Sequence, residues 1–153
     1  MSSDWASTER VSAEITLADG TVLAGEIHVQ PRVAHHEGAE TPVEMLNRTE
    51  PFFVLSHEGG VLFLSKAQVA YVSCGAQPPL GDPERFNAAK LVALEVQLVG
   101  GAEFKGWATV ERPPNRARTL DYLNEPEPFF TVWTNAVTCY IHRAHVRLVR
   151  PLD

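Results

Sequence analysis

Apolar and polar side chains alternate with a period of two through much of this chain. The clearest stretch is Leu94-Glu95-Val96-Gln97-Leu98. Successive side chains of a strand point to opposite faces, so the pattern predicts a strand with one face in a core and one in water. Ala13, Ile15 and Leu17, separated by Glu14 and Thr16, predict another. A turn follows each, Ala18-Asp19-Gly20-Thr21 and Gly100-Gly101, and Asp-Gly between apolar runs is a strong hairpin signal. The strands leaving those turns, Val22 to Val29 and Glu103 to Val110, carry central glycines, Gly25 and Gly106. Glycine weakens a strand unless the chain must bend sharply or another backbone must come close. A small, strongly curved sheet creates that need.

Three shorter strand signals follow in each half. They are Phe52 to Ser56, Val61 to Ser65 and Gln68 to Val72, then Phe129 to Thr134, Val137 to His142 and His145 to Val149. Gly59-Gly60 and Thr134-Asn135-Ala136 read as hairpin turns. Helix signals are few. Thr41 caps a single predicted turn with Pro42 at its first position, and Thr119 to Leu123 is its counterpart. Asp82 to Phe86 predicts a short helix after the linker Gln77-Pro78-Pro79-Leu80-Gly81.

These signals occur in the same order twice. Gly25 answers Gly106 at a separation of 81 residues, while Leu46-Asn47 and Glu50 to Phe53 answer Leu123-Asn124 and Glu127 to Phe130 at 77. Leu64 to Val69 matches Ile141 to Val146 at the same 77. The chain therefore divides into repeat one (11–74), a linker with a short helix (75–91) and repeat two (92–150). A unit of about sixty residues is usually marginal alone, so two packed copies make one stable body. An exposed apolar strand edge invites another chain, which predicts packing through strand edges or outward aromatics.

Apolar content of 44% is ordinary for a folded domain. No run approaches the roughly 18 apolar residues of a membrane helix, and the start lacks the basic and apolar regions of a signal peptide, so a cytoplasmic location is expected. Cys74 and Cys139 occupy unrelated positions in the repeats, which predicts two reduced, partly buried thiols. The net charge of −6 is unevenly divided. Residues 1–80 hold 4 Lys/Arg against 10 Asp/Glu, and residues 81–153 hold 9 against 9. Strong phosphate attraction is therefore not expected of repeat one.

The ordered series of strand, turn, Gly-centred strand, Asn-bearing loop, hairpin and closing basic-x-x-Val strand resembles the Sm-like (LSm-type) family of small β-barrels. In repeat one the resemblance rests on Ile15, Leu17, Asp19-Gly20, Leu23, Gly25, Ile27, Asn47, Lys66, Val69 and Val72. In repeat two it rests on Val96, Leu98, Gly106, Asp121, Asn124, Arg143, Val146 and Val149. It implies an all-β fold of two tandem, five-stranded, strongly bent Sm-like or SH3-like open barrels in a pseudo-twofold relation. It also implies ring assembly through strand edges, so that two fused units in a six-unit ring make a trimer. By position, Asn47, Lys66, Asn124 and Arg143 are the residues that the resemblance places at RNA. The loop from about Pro31 to Pro51 is longer than the family usually shows, and Ala follows Lys66 and Arg143 where family members carry Gly or His.

Each candidate has a plainer reading. Asn47 and Asn124 can simply end a helical turn, since Asn tolerates the left-handed conformation. Phe52-Phe53 and Phe129-Phe130 can stack on bases, but adjacent strand residues face opposite ways. One ring of each pair should enter the core, and the other should pack under a loop or against the sister repeat. Arg112, Arg116 and Arg118 form the best anion candidate, with Glu111 and Asp121 nearby to balance them. The six histidines, His35-His36 included, fit no zinc spacing, and no metal or other cofactor is expected. No phosphate loop, nucleophile elbow or catalytic series is present, which argues against an enzyme. Two functions remain: a protein-interaction or self-assembly module, or an RNA binder using repeat two.

Overall fold

A computed structural model describes residues 8–31, 40–75, 91–110 and 116–152. Repeat one contributes β1 (Glu9–Leu17), β2 (Val22–Val29), α1 (Pro42–Leu46), β3 (Phe52–His57), β4 (Gly60–Ser65) and β5 (Val69–Gly75). Repeat two contributes β6 (Leu91–Leu98), β7 (Glu103–Thr109), α2 (Arg116–Leu123), β8 (Phe129–Trp133), β9 (Val137–His142) and β10 (Val146–Pro151). The predicted helix at Asp82 to Phe86 lies outside the described residues.

The ten strands form one sheet in the order β10-β6-β7-β8-β9-β5-β1-β2-β3-β4, with antiparallel pairing throughout. Each repeat places its strands alike, with its last strand beside its first. The sheet is continuous and not closed, and the pairing establishes an all-β antiparallel architecture. The duplication extends to single hydrogen bonds. Ala18 N–H donates to the Gln68 carbonyl as Val99 N–H does to His145, and Lys66 N–H donates to Pro51 as Arg143 N–H does to Pro128.

The central glycines sit where the sheet turns over itself. A Cβ on Gly25 would fall on the Ser56 carbonyl, and one on Gly106 would fall on the Trp133 carbonyl. Absence of a side chain is thus what lets β2 meet β3 and β7 meet β8. Thr41 and Glu44 close α1 with a reciprocal capping box: Thr41 N–H donates to Glu44 Oε1 at 2.8 Å and Glu44 N–H to Thr41 Oγ1 at 3.3 Å. Pro42 stands at its start.

Three details differ from the sequence reading. The β3–β4 turn is Glu58-Gly59 rather than Gly59-Gly60, with φ of 50° and 80°. Positive φ at both central residues suits a two-residue hairpin, and Gly60 is already a rung opposite His57. Single 3-10 turns, Lys66–Gln68 and Arg143–His145, separate β4 from β5 and β9 from β10, so Gln68 and His145 do not begin strands. Helix α2 extends one turn further back than Thr119.

Two apolar cores result, and each borrows from the other repeat. Ile15, Ile27, Leu46, Leu55 and Val72 centre the first, which also takes Phe129 and Tyr140 from repeat two. Leu94, Val96, Val132 and Ile141 centre the second, which takes Ala70 from repeat one and packs Tyr71 against its rim.

Candidate functional site

The join between repeats is a strand seam. β5 pairs with β9 from Tyr71 opposite Ile141 to Gly75 opposite Val137. Tyr71 meets Phe104 edge-on, with ring centroids 4.7 Å apart. His145 Nε2 lies 2.9 Å from the Ala67 carbonyl and ties the two 3-10 turns together.

Asn47 fastens one end of this seam. It follows α1, its backbone N–H donating to Val43 O, and its side chain reaches the first residue of β8. Phe129 N–H donates to Asn47 Oδ1 at 2.8 Å, and Asn47 Nδ2 donates to Phe129 O at 3.1 Å. A primary amide presents the same donor and acceptor pair as a peptide group. Asn47 therefore supplies an extra strand rung and holds the Phe129 ring in the first core. Behind it, Arg48 binds buried Glu40 through two hydrogen bonds of 2.9 and 3.0 Å, which fixes the approach to α1.

The basic pair named by the resemblance is turned inward. Lys66 Nζ donates to the carbonyls of Met45 and Arg48, at 3.2 and 2.9 Å, and burial lowers its pKa below the usual lysine value while Glu50 opposes that shift. Arg143 donates to the carbonyls of Leu123, Tyr122, Glu127 and Phe129, and its guanidinium lies 5.1 Å from the Phe130 ring centre. Both side chains thus add donors to helix-end and loop carbonyls of their own repeat. Asn124 stands at the end of α2 as Asn47 does at α1, but it is exposed. Arg116 and Arg118 lie on α2, the first exposed and the second partly so, while Arg112 and His35-His36 lie outside the described residues.

The two aromatic pairs behave differently. Phe53 is buried and Phe52 is 56% exposed, whereas Phe129 and Phe130 are both buried. The alternation of faces holds, and in repeat two the second ring packs against the sister repeat. Phe130 enters its own core and Phe129 enters that of repeat one.

Two equivalent residues, one at the seam and one on an outer strand, escaped the sequence reading. Tyr140 on β9 is 5% exposed, while its equivalent in repeat one, Phe63 on β4, is 61% exposed. The signal was present in the unbroken run Val61-Leu62-Phe63-Leu64, which suits a strand covered on both faces. β4 and β10 are the outer strands of the sheet. Just past β10, Leu152 N–H points inward to Ala93 O, so alternation turns position 151 outward, where Pro151 has no N–H to give.

Other chemistry is sparse. His28 Nε2 lies 2.8 Å from Ser56 Oγ and its Nδ1 2.8 Å from Thr8 Oγ1. His28 thus bridges two hydroxyls with the two nitrogens of a buried ring. No cluster of metal-ligating residues occurs among the described residues, and no described helix is long and apolar enough to cross a membrane. Cys74 and Cys139 are free and buried, and burial pushes their thiols up to about 11 and about 12, away from reactivity.

His142 introduces a pH dependence. Its Nδ1 accepts from Ala144 N–H at 3.1 Å, capping the 3-10 turn, and its ring meets Phe129. Burial first, and His145 second, lower its pKa below 6.5. A depressed folded-state pKa gives stability that is complete above the unfolded value and lost as pH falls through the folded one. The denaturant midpoint should therefore fall on acidification below about pH 6.5. His142→Asn keeps an acceptor without titrating and should flatten that slope; an unchanged slope would exclude His142 as its source.

Comparison with known proteins yields no family model, no curated protein and no solved structure that matches this chain.

Proposed function

We propose that this protein is a non-enzymatic assembly module built from two Sm-like units, which joins copies of itself head to tail through β4 and β10. One observation carries the reading. At the internal seam Tyr140 is buried, while its equivalent Phe63 lies exposed on the outer strand β4. The opposite outer strand, β10, is equivalent to β5, the other half of that seam. Each chain thus offers both halves of a joint whose completed form it already contains.

Transferring the internal register sets the contact. Phe63 lies opposite Val149, Leu64 opposite Leu148 and Leu62 opposite Arg150. Covering an exposed phenylalanine contributes roughly 1.5–3 kcal/mol. Pro151 shortens the new ladder by one donor, so the intermolecular joint is weaker than the internal seam. A head-to-tail joint propagates until it closes, and six units, as the resemblance implies, require three chains.

The RNA reading has less support. Asn47, Lys66 and Arg143 spend their hydrogen bonds inside the molecule, which leaves Asn124 and the α2 arginines. Mass photometry and sedimentation at micromolar concentration test the proposal. Three times the chain mass is expected, with Phe63→Glu reducing it to the monomer. A wild-type chain that remains strictly monomeric would overturn the assembly reading.

A further inference from the structure

We infer that Asn124 is the receptor for the Phe52 peptide group of a second copy, a role that rests on the assembly reading above. Asn47 ends α1, and its amide grips the N–H and carbonyl of Phe129, whose ring is 1% exposed in the first core. Asn124 ends α2 with the same backbone pattern, its N–H donating to Leu120 O as that of Asn47 donates to Val43 O. Its side-chain amide makes no hydrogen bond among the described residues and is exposed.

Phe52 is the counterpart of Phe129. Each opens its strand and pairs with the last residue of the next one, Phe52 with Ser65 and Phe129 with His142. The receptor and its occupant are thus present on every chain at opposite ends of the sheet, each unfilled. The surroundings agree. Leu46 and Val69 are fully buried beside the filled site, whereas their equivalents Leu123 and Val146 are only half-buried. The missing cover is an aromatic ring, and the partner chain's Phe52 supplies it.

This assigns to Asn124 a contact with protein backbone, where the sequence resemblance would place a nucleobase. The partner is specific because a primary amide selects an extended peptide edge, and the apolar wall beside it selects the ring that follows.

Two variants separate the halves of this joint. Asn124→Ala damages the receiving end, and Phe52→Ala damages the inserting end; both positions are exposed, so the monomer fold is retained and is checked by its denaturant midpoint. Each variant alone should associate at least tenfold more weakly than the wild type by sedimentation. Mixed, they should form a one-to-one dimer that grows no further, since one sound joint remains. An Asn124→Ala chain that associates like the wild type, or a mixture that stays monomeric while the wild type assembles, overturns the clamp and leaves edge assembly standing. A monomeric wild type overturns both.

Discussion

Gly106→Ala is expected to cost about 3 kcal/mol of stability, at the upper end for inserting one carbon into a packed site. The added Cβ would fall on the Trp133 carbonyl, with Val132 side-chain and Trp133 backbone atoms also close by. Backbone cannot step aside as a flexible side chain can. β7 and β8 share a single rung, Trp107 opposite Trp133, so the collision lies beside the only pairing that joins them. Gly25→Ala strikes the Ser56 carbonyl in the same way, next to the Glu26–Ser56 rung. Since domain stability is usually about 5–15 kcal/mol, either variant should show a large fall in denaturant midpoint. A loss below about 1 kcal/mol would mean that the crossing of these strands is not tight.

Asn47→Ala should destabilise the chain by about 2–3 kcal/mol, because it removes two hydrogen bonds and orphans the Phe129 N–H. The Phe129 carbonyl retains Arg143 at 3.3 Å, which keeps the loss below that of two bare groups. Asn47→Asp should not rescue, since a carboxylate accepts from the N–H but sets a negative charge against the carbonyl. Asn124→Ala, exposed at the equivalent place, should leave monomer stability within about 0.5 kcal/mol of the wild type. Chemical denaturation at a concentration low enough to hold the monomer compares the three, and equal effects at Asn47 and Asn124 would remove the clamp from the account.

Much of the architecture was legible because it rests on local rules. Period-two runs and short apolar runs bounded by turn signals placed all ten strands to within a few residues, and Thr41-Pro42 located α1. The glycines announced a close backbone approach without naming the backbone. What failed was information carried by distant partners. The grip of Asn47 on Phe129 spans 82 residues, so a rule about helix ends saw only a residue that stops a turn. The family resemblance placed Lys66 and Arg143 at RNA by position alone, whereas the carbonyls that claim them gather only on folding. Alternation correctly turned Phe129 and Phe130 to opposite faces. It could not show that both faces of β8 are covered, since the second cover comes from the other repeat.

The exchange of side chains between the cores has a consequence for the chain as an inherited object. Once Phe129 and Tyr140 complete the first core and Ala70 sits in the second, the ancestral unit has ceased to be separable. A cut in the stretch 76–90 would leave one fragment with a hole where Phe129 was and the other with an aromatic ring in water. Neither repeat can then be exchanged or removed without unmaking the core of the other.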